Sequence, residues 1–500
     1  MSGITTGDGD AASLVLEGAR LPGAAEPSTI VVIGGVIASV DGEPPSDAVA
    51  PQRVDLAGRT VIPGLWDTHV HAEQWAVARR RLDLRGAASA RDAADLVAAA
   101  AVALGPGEAL IGVGMRDALW PDAPDKDLLE AVAPGRVVAI QGNDLHTAWL
   151  SPAALVRVGA GDHETGVLKE RACYQAMGAL QEHDEDAIDG WVTEALTAAA
   201  ARGVTGLIDF EMGDCLPAWQ RRAERGRLDV RIECTVYREH LRAAIARGMP
   251  SGTIVHATSG MVAVGPLKLF VDGSLNSRTA LCHEPYPEVA GDDGAHGLLE
   301  TPPDLLQELM REAAAHRIDS AVHAIGDRAT ALALDAFEAV GTAGRIEHAQ
   351  LIARDDVPRF ARPGLVVGVQ PAHLVDDRDV ADRHWLGRTD RTFPFADLLA
   401  AGATIEFGSD APVAPLDPWV AISAAVTRTG DDRAPWHPEQ RIGVADALAA
   451  SSRGRTRLTA ADPADLVVLD HDPLDLEGSQ LTDPGVVGTL CAGRWTHRTF

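Results

Sequence analysis

Basic residues are scarce: 44 Lys and Arg face 72 Asp and Glu, leaving a formal net charge of -28 at pH 7. Such a balance argues against nucleic acid or an anionic membrane as a partner. Cysteine is sparse as well, and Cys173, Cys215, Cys234, Cys282 and Cys491 show no paired spacing. Neither a disulfide framework nor a Cys-based zinc site is expected. No apolar run is long enough to span a bilayer, and residues 1–10 lack the basic and apolar regions of a signal peptide. The expected location is therefore the cytoplasm. A chain of 500 residues can nonetheless bury a large core and hold more than one domain.

Lysine is the rarest basic residue, represented only by Lys126, Lys169 and Lys268. Lys268 lies in the apolar run Pro266-Leu267-Lys268-Leu269-Phe270-Val271, where an unpaired ammonium is costly. Arginine cannot supply a neutral amine. A neutral lysine can take up carbon dioxide and become a carbamate able to bridge two metal ions. The alternative is an ordinary ion pair with Asp272 or another acid.

What the chain does contain is a set of metal-ligand residue types at the ends of short apolar runs. In Val61-Ile62-Pro63-Gly64-Leu65-Trp66-Asp67-Thr68-His69-Val70-His71, two imidazoles two residues apart share one strand face. Neutral imidazole is a common zinc ligand. His323, His348 and Asp410 end three further runs at 320–323, 345–348 and 404–407 or just beyond. Helical spacing over 305–316, 327–340 and 393–401 alternates with these runs. Alternating βα units predict an α/β fold, a (β/α)8 TIM barrel with its active site at the C-terminal strand ends. The remaining strands are expected near His69 and at 204–210, 230–237, 267–272 and 365–370.

With these residues in place, the chain resembles the amidohydrolase superfamily, and more narrowly amidohydrolase family 3, the branch that includes N-substituted formamide deformylases. The resemblance rests on the His69/His71 segment, Asn143-Asp144-Leu145-His146, Lys268 to Ser274, Val322-His323-Ala324-Ile325-Gly326-Asp327, Ile346-Glu347-His348-Ala349-Gln350, Gln370-Pro371 and Gly408-Ser409-Asp410-Ala411-Pro412. It implies a metal site of His69, His71, Lys268, His323, His348 and Asp410. One departure is the stretch 452–461, which lacks the Gly-rich segment usual before Ala464-Asp465-Leu466-Val467-Val468-Leu469.

The resemblance also implies a domain plan. Residues 1–60 and 456–500 would join in a small β-sandwich, and 61–455 would form the barrel, with a long insertion at about 75–190 after the first strand. That insertion either covers the substrate pocket or is a peripheral element, for instance one that packs in a homo-oligomer. Expected substrate contacts are His146, Asp272, Gln370, His373 and Trp75, and Trp66 and Trp120 are further candidates for an apolar subsite. Each has an ordinary packing or capping alternative.

The implied activity is hydrolysis of a carbon-nitrogen bond in a small-molecule amide, an N-substituted formamide or a relative. One or two divalent ions are implied: zinc by ligand type, with manganese, iron or nickel also compatible. His69, His71 and Asp410 would hold one and His323 and His348 the other, bridged by carbamylated Lys268. Water activated there would attack the carbonyl, with Asp410 acting as general base and then general acid. One rival is a single-metal deaminase, which would normally carry a glutamate three residues after His323, where Gly326 stands. The other rival is a non-catalytic, metal-binding regulatory protein.

Overall fold

The computed structural model describes residues 13–42, 51–105, 107–180, 184–287 and 294–500. Residues 1–10, read above for a signal peptide, lie outside them. Eight strands form one sheet: β1 (Leu65–Val70), β2 (Val204–Asp209), β3 (Arg231–Tyr237), β4 (Val262–Phe270), β5 (Ser320–Ala324), β6 (Gly344–His348), β7 (Leu365–Val369) and β8 (Thr404–Phe407). All neighbours are parallel and consecutive in sequence. Helices Pro303–Ala315, Asp327–Val340 and Phe395–Ala401 fall where the three-and-four spacing predicted them.

The sheet closes on itself between β1 and β8. Thr68 Oγ1 donates to the Phe407 carbonyl at 3.0 Å. Just above it, the Asp410 N–H donates to the His69 carbonyl at 2.7 Å and the His71 N–H to that of Ala411 at 2.9 Å. Gly408 lies in this seam, where a Cβ would come within 2.6 Å of the His69 Cβ, so only glycine lets the two chains meet. The architecture is a TIM barrel. Strand β4 begins at Val262, ahead of the expected start at 267, because Val262 and Val264 extend its buried apolar run.

Between β1 and β2 the chain folds a separate five-stranded sheet from Leu82–Asp83, Leu110–Met115, Val138–Gly142, Thr147–Leu150 and Val167–Lys169. Its two faces carry their own apolar clusters around Val97 and Leu155. Near the chain ends stand two four-stranded sheets. One contains Leu14–Ala19, Ser28–Ile33, Val36–Val40 and Gln52–Asp55, and the other Thr60–Pro63, Leu466–Leu469, Val486–Cys491 and Arg494–Arg498. Leu16, Ile30, Val32, Val61, Leu466 and Leu490 share one buried core between them. Each such side chain contributes roughly 1.5–3 kcal/mol by leaving water. Leu466–Leu469 still pairs with Thr60–Pro63, so the departure at 452–461 does not cost the sheet its strand. Among the described residues, no helix is long and apolar enough to cross a membrane.

Candidate metal centre

His69 and His71 rise from the end of β1 and meet Asp410 across the seam. Their Nε2 atoms lie 3.6 and 3.3 Å from Asp410 Oδ1. One ligand atom from each of the three falls within 4.8 Å of the others. His69 is buried, and its Nδ1 lies 2.8 Å from Glu347 Oε2. An imidazole donating through Nδ1 keeps its Nε2 lone pair for a metal. Arg345 bonds Glu347 from below and reaches Glu406 at 2.6 Å. Burial alone would push the Glu347 carboxyl up, but Arg345 and His69 reverse this and hold it at about 2. Burial, aided by the nearby Lys268 charge, pushes His69 down to about 4, so the ring is neutral at ordinary pH.

A second grouping within 4.8 Å consists of His348, His373 and Asp410. Strand alternation would turn His348 away from the side of Glu347. Its φ of 71° breaks the alternation and brings the ring into the cavity, and Asp410 has a φ of 57°. Left-handed backbone at two non-glycine residues stores strain of about 1–3 kcal/mol each, a feature that clusters at functional sites. Burial raises the Asp410 carboxyl, yet His69 and His71 more than offset it, and the group stays ionised. Burial also drives His323 and His348 well below the ordinary imidazole range.

His323 does not join either grouping. Its ring stands 4.5 Å from that of His348, but its Nε2 lies 3.1 Å from the Gly273 carbonyl. His373, expected to touch substrate, occupies the corresponding place beside His348 and Asp410. Lys268 lines the same cavity, its Nζ 4.5 Å from the Phe210 ring and 4.8 Å from that of Phe270. Burial lowers it to about 8. It has no pairing with Asp272, the alternative raised by the sequence, because that carboxylate is turned elsewhere.

Several sequence expectations need correction. Asp272 is fully buried and accepts the N–H groups of Leu281, Ile325 and Gly326 at 2.8–3.0 Å, so it braces the loops beyond β4 and β5 instead of facing substrate. Gln370 is also buried, with its Nε2 toward the Gly368 carbonyl at 3.4 Å, and Gln350 lines the cavity in its place. Trp75 borders a separate cleft beside Arg79 and Pro412. Trp66 packs inside the barrel beneath the Arg453 guanidinium, and Trp120 packs on the insertion, donating to the Ala87 carbonyl. Primary position near a strand end does not reveal depth along the barrel.

His146 reaches the cavity from the insertion. Its Nδ1 lies 2.7 Å from Glu170 Oε2 and 2.8 Å from the Tyr174 hydroxyl, while Ser277 and Thr279 donate to Glu170 Oε1. Burial opposes both charges, but the pair overcomes it, holding His146 up at about 9 and Glu170 down at about 2. Sequence reasoning missed Glu170 and Glu347. Glu347 was findable, since alternation from Arg345 points both into the barrel, whereas Glu170 carries no local signal.

The cavity of about 440 Å³ is lined by His69, His71, Tyr237, Lys268 and Glu300. A smaller polar branch of about 80 Å³, with Arg116, Gln350 and Asp377, shares His146, His323, His348 and Asp410 with it. The donors present fit a divalent ion: His69 and His71 turn Nε2 toward Asp410, and His348 Nδ1 and His373 Nε2 are buried without a hydrogen-bond partner among the described residues. Nitrogen and carboxylate donors suit zinc and its neighbours. The deaminase glutamate has no room, since a Cβ on Gly326 would lie 2.1 Å from the Leu281 carbonyl oxygen.

Comparison with known proteins agrees with this architecture. The chain is 28% identical over 497 residues to Protein LONG AFTER FAR-RED 3 of Arabidopsis thaliana, covering 88% of this chain and 83% of the relative. It is 25% identical over 519 residues to the N-substituted formamide deformylase of Arthrobacter pascens, covering 93% and 94%. The crystal structure of an uncharacterized metal-dependent hydrolase from Pyrococcus horikoshii superposes with a TM-score of 0.77 at 25% identity, covering 93% of this chain and 99% of that one. The model of the amidohydrolase family matches residues 52–497. The chain therefore belongs to the amidohydrolase family, and it is a hydrolase.

Proposed function

We propose that the protein hydrolyses the carbon-nitrogen bond of a small amide, with N-substituted formamides the first class to test. The observation that carries this reading is the convergence of His69, His71 and Asp410 within 4.8 Å, with His69 oriented by Glu347. The similarity to the Arthrobacter pascens formamide deformylase supports the formamide class. A formyl carbon is unhindered, so attack demands little space.

His69, His71 and Asp410 would hold one ion, with His348 and Lys268, as a carbamate, supporting a second. Divalent zinc or a similar ion supplies carbonyl polarisation and a lowered water pKa. Asp410, ionised between the histidines, takes the proton of the attacking water and passes it to the departing nitrogen. Glu347 keeps the His69 lone pair aimed at the centre. His146, kept cationic by Glu170 and bonded through Nδ1, leaves Nε2 as a donor to the oxygen that gains charge in the tetrahedral state. The cavity volume lies in the range of small-molecule sites.

The test is a panel of N-formyl, N-acetyl, cyclic amide and ester substrates with zinc- and manganese-loaded protein. Cleavage of at least one amide, fastest for formamides, is expected. Ammonia release from aminopurines or cytosine outpacing every amide would overturn the reading.

A further inference from the structure

We infer that the polar branch of the cavity binds an ammonium group on the amine part of the substrate, with Asp377 as its counter-ion. This rests on the amide-hydrolase reading above and narrows its substrate class to amides whose amine part carries a second, protonated amino group a few carbons from the scissile nitrogen. Asp377 lines the branch together with Asp144, Asp376, Arg116 and Gln350. The charges there do not balance. Arg116 Nη2 pairs with Asp376 Oδ1 at 2.8 Å, and Asp144 accepts the Ser274 hydroxyl at 2.8 Å and the His146 N–H at 3.1 Å. Asp377 has only the neutral Gln350 amide, Nε2 to Oδ2 at 2.6 Å, and no basic partner among the described residues. Attraction to a helix N-terminus falls off within the first turn, where Asp376 already stands, so it does not account for Asp377. Burial, with the Asp376 and Asp144 charges adding to it, pushes the Asp377 carboxyl up to about 6. A carboxylate so placed gains most from a cation.

An unpartnered nitrogen faces the same space. His373 stands four residues before Asp377 in the helix His373–His384, on the same face. It lines the branch, is 7% exposed, and its Nε2 has no hydrogen-bond partner among the described residues. The ions proposed above take His69, His71, His348, Lys268 and Asp410, which leaves this nitrogen for the substrate. An ammonium offers three N–H donors and no acceptor, so it can serve the Asp377 carboxylate and a neutral His373 ring together. Asp410 fixes which part of the substrate enters. Its Oδ1 faces His69 and His71, while Oδ2 lies 3.9 Å from His373 Nε2, on the branch side. The proton that Asp410 returns thus reaches a nitrogen at the mouth of the branch, and the departing amine is the part inside it. The volume of about 80 Å³, at about 10–15 Å³ for each water-sized group, admits a short aminoalkyl chain and no bulky ring.

The experiment compares three formamides on metal-loaded full-length protein: mono-N-formyl-1,4-diaminobutane, its uncharged isostere N-formylpentylamine, and the anionic N-formyl-4-aminobutanoate. With formyl throughout, the charge can lie only on the amine part. The cation should have a kcat/KM about 10–100-fold above the isostere, carried by KM, and the anion should be the poorest of the three. In Asp377→Asn the ratio of cation to isostere should fall to about one, and Asp377→Glu should keep most of it. Calorimetry gives a readout without turnover: 1,4-diaminobutane should bind the wild type about tenfold or more tighter than pentylamine, a difference that vanishes in Asp377→Asn. A wild-type ratio near one, a preference that survives Asp377→Asn, or a diamine bound no tighter than pentylamine would overturn the inference and leave the hydrolase reading standing. Tighter diamine binding with no amide cleaved would remove the amide reading and keep the ammonium site. Neither binding nor cleavage removes both.

Discussion

Glu347 Oε2 lies 2.8 Å from His69 Nδ1, joining a candidate metal ligand on β1 to a carboxylate on β6. On its other side the same carboxylate holds Arg345, which is buried as well. Glu347→Gln should weaken divalent-ion binding about 10–100-fold by loosening the His69 orientation. It should also cost stability, by less than the about 3–5 kcal/mol of a buried charge left alone, since Arg345 loses one of two charged partners and keeps Glu406. Chelator competition and urea unfolding measure the two effects. Unchanged ion affinity would show that His69 is oriented by its packing alone, including the Phe210 ring stacked 4.0 Å away.

The His146–Glu170 pair sets a pH window. His146 titrates at about 9 in the folded chain against an ordinary imidazole value of 6.5, so its contribution is complete below pH 6.5 and is lost as pH rises toward 9. Glu170, depressed to about 2, contributes above 4.5 and loses that contribution as pH falls toward 2. The pair is shared, so the two shifts describe one interaction of at most about 3 kcal/mol. Urea unfolding between pH 6 and 9.5 should show a decline in the wild type that is much reduced in Glu170→Gln. Parallel profiles would remove the pair from the account.

Lys268 carries a chemical prediction. With its amine at about 8, the neutral fraction able to take up carbon dioxide grows as pH rises toward that value. Protein loaded in 13C-bicarbonate with metal should show a carbamate carbon by nuclear magnetic resonance, absent in Lys268→Ala and Lys268→Arg. Formate or acetate should partly restore activity to the alanine variant but not to the arginine variant, whose guanidinium fills the space. An active, metal-loaded wild type with no carbamate signal would leave Lys268 as a plain amine between two aromatic rings.

Gly326 gives a steric prediction. Even Gly326→Ala places a Cβ 2.1 Å from backbone oxygen, so the loop carrying the Asp272 hydrogen bonds must move. Loss of about 1–3 kcal/mol is expected, read from the midpoint of thermal unfolding. Wild-type stability would mean that the loop yields freely.

The barrel was legible because its strands are apolar runs ending in charged or imidazole residues, separated by helical spacing. His69, His71 and Asp410 were readable for the same reason. Sequence reasoning assigns His323 to the metal and His373 to the substrate, but it cannot say that the Gly273 carbonyl engages the His323 Nε2 or that His373 stands beside His348 and Asp410. Long-range partners were out of reach: His146 meets Glu170 across 24 residues, with no periodic pattern linking them. The tryptophans lie away from the cavity of the imidazoles, with Trp75 on a separate cleft; sequence carries no information on radial depth.

The seam where β1 meets β8 has a kinetic consequence. Its contacts join residues 339 positions apart, such as Thr68 and Phe407, and the imidazoles and Asp410 sit directly on it. Few parts of the chain have higher contact order, and such pairings form late. During synthesis, His69 and His71 emerge long before their carboxylate partner exists. The complete ion trap is thus assembled by the last stage of barrel closure, so metal uptake would report on completion of the fold as well as on the site.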